Sequence, residues 1–129
     1  MWPGEISLEV TPCLAYEHPA EDNHAASVFV FHHPSRTVHI DDTLNYFNNV
    51  PWVLALFGAK SDDLKFRFDF KKQLANCGTP DAERVFREWY QDKVLTWDFD
   101  NACIAHNGII LGGAKAKFEK CLGFLSKEK

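Results

Sequence analysis

The sequence predicts an α/β (α+β) layered fold, and three observations carry that prediction. Apolar residues alternate with period two near the N-terminus, change to helical spacing further along, and return to a short apolar strand before residue 105. The resulting order of strands, helices, a strand and a helix is that of helices layered on a sheet. The chain has 129 residues, of which 46% are hydrophobic and 25% charged. That is enough for a single domain over residues 1–129 to build a core without staples.

The elements follow in order. Ile6-Ser7-Leu8-Glu9-Val10 alternates apolar and polar residues, which predicts a half-buried strand, and Pro12 ends it. Residues 15–26 are polar, rich in Ala, Glu and His, and read as a loop. Val28-Phe29-Val30-Phe31 is a continuous run of β-formers and predicts a strand buried on both faces. His33-Pro34-Ser35-Arg36 has Pro where a type I turn prefers it, and Thr37 to Ile40 supplies the return strand of a β-hairpin. Residues 44–59 are apolar but contain Pro51 and Gly58, which predicts a short helix or an irregular crossing segment.

Ser61-Asp62-Asp63 reads as a helix start, with a capping hydroxyl and first-turn carboxylates. It opens a helix over 62–76 that Gly78 stops, although the spacing of two between its phenylalanines also fits a strand. Thr79-Pro80-Asp81 opens a further helix with Pro at its first position, and Val85, Phe86, Trp89 and Tyr90 line one face. A strand within 94–105 ends at Ile104-Ala105. Gly112-Gly113 precedes a last helix, whose Ala114, Phe118, Cys121, Leu122 and Leu125 form one apolar stripe.

Composition excludes several classes. Eighteen acidic against 14 basic residues give a net charge of −4, so a phosphate-backbone binder is not expected and nucleic acid is not an expected partner. The apolar content is too high for disorder. Cys13, Cys77, Cys103 and Cys121 form no CxxC pair, which argues against a zinc knuckle and predicts reduced thiols in a cytoplasmic setting. The first residues have neither the basic region nor the apolar run of a signal peptide. The longest apolar stretch, Val50 to Ala59, is interrupted by Pro51 and is about half the length that spans a bilayer, so no membrane partner is expected. Phosphate-loop and GxSxG spacings are absent. Eleven Phe, four Trp and three Tyr stand out against a single Met.

Chemistry concentrates in the histidines and in two strand ends. His18, His24, His32, His33 and His39 fall within one third of the chain, with His106 apart. Imidazoles beside carboxylates invite a metal, since neutral His and ionised Asp are ordinary zinc or iron ligands. His32 and His33 are adjacent, so an extended chain points them to opposite faces. Asp42 directly follows the hairpin strand. Carboxylates at strand ends project into the crevice where layered α/β folds collect ligands. The same residue also suits a cap or turn. His106 stands between an apolar strand and Gly108, where a tight turn leaves an imidazole at a strand tip; a plain turn histidine has the same sequence context.

Taken together, these pieces resemble the C-terminal half of the metallo-β-lactamase fold, and more closely an uncharacterised branch of that superfamily. Asp41-Asp42-Thr43-Leu44 is similar to the family's Gly-Asp-Thr-Leu at the end of a hairpin strand, and His106-Asn107-Gly108 to its last His-Gly motif. Asn23-His24-Ala25-Ala26-Ser27 loosely matches a His-x-x-Gly-Ser pattern before the hairpin. Val30 to Thr37 and Leu95 to Asp100 carry the likeness to the branch, and the match covers most of residues 27–125. The resemblance implies Asp42, His106 and His24 as metal ligands, with zinc or iron as the metal and half of an αββα sandwich as the fold. The family's His-x-His-x-Asp-His motif is absent, and Ser27 stands where the branch often has an acidic residue.

Two functional readings follow. In one, the chain is a degenerate or partial metallo-β-lactamase-fold protein, a metal-dependent hydrolase of an ester, thioester or phosphoester, with a metal-activated water as nucleophile. In the other, it is a non-catalytic module that works by homo-oligomerisation or by association with a partner. Half of a two-sheet sandwich exposes an apolar sheet face, and the aromatic surplus then reads as surface that a second half or a second copy covers. Whether the chain is an enzyme stays open between the two.

Overall fold

The computed structural model describes residues 4–13, 27–41, 43–105 and 108–125. Within them lie strands β1 (Ile6–Val10), β2 (Val28–His32), β3 (Thr37–Ile40), β4 (Leu44–Asn45), β5 (Lys65–Phe66), β6 (Asn101–Ile104) and β7 (Gly108–Ile110). The helices are α1 (Trp52–Leu56), α2 (Phe70–Asn76), α3 (Ala82–Asp92) and α4 (Ala114–Cys121). Short 3-10 turns follow α3 and α4. The mixed α+β class expected from the sequence is the class observed.

Five strands form one sheet in the order β1-β2-β3-β6-β7, and β4 pairs with β5 in a separate ribbon. Neighbours in the large sheet are antiparallel except β3 and β6, which run parallel with Thr37 opposite Asn101 and Ile40 opposite Ile104. The hairpin between β2 and β3 closes through Arg36 N–H donating to the His33 carbonyl at 3.0 Å, across the Pro34-Ser35 corner. The Thr11 hydroxyl and amide both donate to the Ser27 carbonyl, at 2.7 and 3.0 Å, fixing where β1 and β2 stop pairing.

Strand alternation divides the sheet into two unlike faces. Phe29, Phe31, Val38, Ile40, Ala102, Ile104 and Ile110 share one face by register, and all are buried. The helices cover that face. Phe29 meets Trp89 and Tyr90 of α3 edge-on, with ring centroids 5.4 and 6.2 Å apart. Phe118 of α4 packs against Phe99 at 4.9 Å and stacks over Tyr90 at 6.4 Å. Phe66, Phe70 and Phe86 continue the cluster at 4.8 to 5.7 Å. Nine aromatic residues of the described chain are buried in this core, half of the eighteen in the sequence. Such rings carry large apolar area and add a favourable edge-to-face term.

Several expectations are corrected. The β2 run was expected to be buried on both faces. Only Phe29 and Phe31 are buried, while Val28, Val30 and His32 are half-buried on the opposite side. The helix expected from residue 62 begins at Phe70. Leu64 and Phe66 are buried while Phe68 is exposed, and β5 pairs with β4. Asp69 marks the true helix start, its carboxylate accepting bonds from Arg67 at 2.9 Å and Gln73 at 2.9 Å. Gly78, at φ +74°, ends α2 in the left-handed conformation that suits glycine. Pro80 precedes the cap of α3 rather than opening its first turn; Asp81 is the cap and Ala82 the first helical residue. Among the described residues no helix is long and apolar enough to cross a membrane.

Candidate functional site

The three expected metal ligands, His24, Asp42 and His106, lie outside the described residues, as does His18. The chain on either side of Asp42 and the chain up to Ala105 are described, and their topology bears on Asp42 and His106. Ala105 N–H donates to the Ile40 carbonyl at 2.9 Å, continuing the parallel pairing of β3 and β6 to their last residues. Residues 41 and 105 therefore leave the sheet at the same end, from neighbouring strands running the same way. Thr43, next in the chain after residue 42, is 2% exposed, and its hydroxyl has no hydrogen-bond partner. A buried orphan hydroxyl is uncommon in a folded interior. Among the described residues, no group of three or more His, Cys, Asp or Glu is placed to hold a metal ion.

The remaining histidines have separate surroundings. His32 Nδ1 is 2.7 Å from the Ser35 hydroxyl, and His33 Nε2 is 2.8 Å from the Ser7 hydroxyl. His39 is exposed on the less buried sheet face, opposite Val30 and Cys103. The adjacent pair thus has different partners, as strand geometry predicts.

At the other end of β3 and β6, the stretches Val30 to Thr37 and Leu95 to Asp100 are joined. The Arg36 carbonyl accepts the amides of Asp100 and Asn101 at 2.9 and 3.1 Å. Its guanidinium donates to the Asp98 carboxylate at 2.9 Å and to the Asp98 carbonyl at 3.2 Å. Asn101 donates to the Ser35 carbonyl at 3.1 Å, and Trp97 stacks on Phe31 with centroids 5.5 Å apart. The Asp100 carboxylate accepts the Gly113 amide at 2.8 Å, and its carbonyl accepts the Ala114 amide at 3.0 Å. These residues therefore fasten the hairpin turn to the start of β6 and seat the N-terminus of α4.

Gly108 differs from the tight-turn role expected of it. Its backbone is not in the left-handed region, but a Cβ there would stand 2.8 Å from both the Asn48 side-chain oxygen and the Tyr46 carbonyl. Asn48 lies against β7 through two bonds, accepting the Ile109 amide at 2.9 Å and donating to the Ile109 carbonyl at 2.8 Å. The side-chain amide thereby mimics a neighbouring strand. Nothing in the spacing of Asn48 announces this role.

The second candidate is the sheet face opposite the helices. Ile6, Leu8 and Val10 of β1 lie there in register with His32, Val30 and Val28. The three β1 residues are 42 to 58% exposed, and Ile109 on β7 is 52% exposed. Ser7 and Glu9 face the helix side instead. The polarity of β1 is therefore reversed relative to a strand that turns its apolar side to the core. Ile6, Leu8, Val10, Val28 and Val30 form an aliphatic patch on β1 and β2, while β3 and β6 place Thr37, His39, Asn101 and Cys103 on the same face; none of its strand residues is Asp, Glu, Lys or Arg. The alternation of residues 6–10 was visible in the sequence, but not the side of the sheet on which it would fall.

The chain matches no family model, no curated protein and no solved structure.

Proposed function

We propose that this protein works by association, with the aliphatic patch that β1 and β2 form on the outer face of the sheet packing against the same patch of a second copy. The observation that carries this reading is the inverted β1, which sets Ile6, Leu8 and Val10 outward beside Val28 and Val30. A two-fold contact apposes the patch with the same patch of the other copy, and with no Asp, Glu, Lys or Arg among the strand residues of the face no like charges are brought together there. Contiguous apolar surface across several strands normally marks an interface. Two sheets packed face to face sit about 10 Å apart, with their side chains interdigitated. Sedimentation velocity of the purified protein tests it. A dimer is expected for the wild type and a monomer of unchanged circular dichroism for Leu8→Lys, whose side chain is already exposed. A wild type that stays monomeric at high concentration overturns it.

A second reading, a metal-dependent hydrolase of the metallo-β-lactamase kind, is favoured by the parallel pairing of β3 and β6. Asp42 and His106 come directly after the flanks of those neighbouring strands, where ligands collect in layered α/β folds. The partnerless Thr43 hydroxyl adds support. Asp42, His106 and His24 would hold zinc or iron, which supplies Lewis-acid activation when bound. Metal analysis of the purified protein, with added zinc, iron and manganese, checks this. Uptake lost in Asp42→Ala and His106→Ala supports the reading, and a wild type that takes up none ends it.

A further inference from the structure

A cleft of about 300 Å3 opens between the β4–β5 ribbon and the turn after α1. That is the lower end of the volumes that hold small ligands. Phe47, Phe57, Phe66 and Phe68 line it together with Lys60, Lys65 and the Asp63 that Lys65 pairs with. Phe66 is 4% exposed, whereas Phe57 and Phe68 are 85% and 93% exposed, the two highest values among the large apolar side chains of the described residues. Both of these most exposed rings line one concave site. Leaving such rings in water is unfavourable, and an apolar occupant would relieve it.

The charge around the cleft is inverted relative to the chain, whose net charge is −4. Lys65 Nζ bonds the Asp63 carboxylate at 2.9 Å. The Asp63 carboxyl is held below its ordinary range by that bond first, and further by the charges of Lys65, Lys120 and Lys60, against the opposing effect of burial. Lys117 Nζ donates to the Asp62 carbonyl at 2.7 Å and lies 5.7 Å from the centre of the Tyr46 ring. The Asp62 carboxylate is engaged by the Tyr46 hydroxyl at 2.7 Å. Four lysines thus gather where two carboxylates, Asp62 and Asp63, are both occupied. Lys60 has no ion-pair partner among the described residues, and it lines the cleft.

We propose that this cleft binds a free, single-chain amphiphilic carboxylate, its apolar tail between Phe57 and Phe68 over Phe66 and its carboxylate at Lys60. The phenylalanines select an apolar tail, and the lysine excess selects its negative head. The proposal is independent of the sheet-face contact, which involves other strands.

Isothermal titration with decanoate below its micelle concentration tests it, with acetate, decanol and decyltrimethylammonium as companions. Saturable binding of one decanoate per chain is expected, with weaker binding of decanol and none of acetate or the cation. Lys60→Glu and Phe68→Ser should each weaken decanoate by about tenfold or more, with circular dichroism unchanged because both side chains are exposed. Absence of decanoate binding overturns the proposal. So does equal affinity for decanoate and decyltrimethylammonium, or decanoate affinity indifferent to both substitutions. Sedimentation with phosphatidylserine vesicles, in a protein that ignores monomeric decanoate, would replace it with contact to a lipid surface.

Discussion

Gly108 occupies a space that admits no side chain, because Asn48 and the Tyr46 carbonyl close on it. Adding one methyl group forces the Asn48–Ile109 bonds apart. Gly108→Ala is therefore expected to lower the unfolding free energy by about 1–3 kcal/mol in urea denaturation, the usual cost of overpacking. An unchanged midpoint would show that the segment around Asn48 yields. Cys121 is a second residue with a defined consequence. Its thiol donates to the Leu64 carbonyl at 3.1 Å, and burial, aided by the nearby Asp63 charge, pushes its pKa to about 12 from an ordinary 9.0. The unfolded thiol ionises first as pH rises, so this contribution to stability is whole below pH 9 and is lost between 9 and 12. The slope is about 1.4 kcal/mol per pH unit at most. Urea midpoints from pH 8 to 11 should fall more steeply for the wild type than for Cys121→Ala. At this scale the sequence is readable where one residue has one role: the Cys121 stripe position and the helix-ending Gly78 are both as expected. Gly108 is not readable so, because close approach and a left-handed turn call for the same residue.

Elements differ in how clearly they announce themselves. The β2–β3 hairpin, α3 and α4 were legible because a Pro-containing turn or several turns of helical spacing leave a long signal. Strands β4, β5 and β7 are two or three residues long, and no periodicity survives in so short a run. The helix boundary near residue 62 was misread because Ser61-Asp62-Asp63 has cap chemistry, yet Asp62 takes φ +60° and Asp63 pairs with Lys65 instead. Helix α4 shows the reverse case, a start held by another segment. Its cap residue Gly113 has no side chain to offer, and the Asp100 carboxylate takes its amide. Asp100→Ala is expected to cost about 1–2 kcal/mol, with Asp100→Asn recovering part of it through its retained acceptor. Thermal unfolding of the two variants side by side measures the difference; equal losses would show that charge, not the acceptor, matters.

At the scale of the whole molecule, the sheet has one face closed by aromatic packing and one that exposes an aliphatic patch on β1. The sequence predicts an apolar face needing cover from an aromatic surplus, but half of those rings are buried in the core and the exposed patch on β1 is aliphatic. The candidate metal site was legible only as chain order, Asp42 after one strand and His106 after another. That those strands lie side by side depends on pairing between distant parts of the chain, which no local pattern encodes. The same pairing has a consequence in time. Strands β1 to β3 form one local meander and β6–β7 one local hairpin, joined only where β3 meets β6. The chain between them, residues 41–100, contains α1, α2 and α3. The meander and the hairpin can each form early, but the seam waits for that whole crossover to close, an entropic cost that slows non-local pairing. Val38, buried opposite Ala102 across the seam, reports on that step. Stopped-flow refolding of Val38→Ala should slow more than its unfolding quickens. The reverse pattern would put the closing of the crossover after the barrier. The parallel seam that brings two distant strand ends together thus also sets the clock on which they meet.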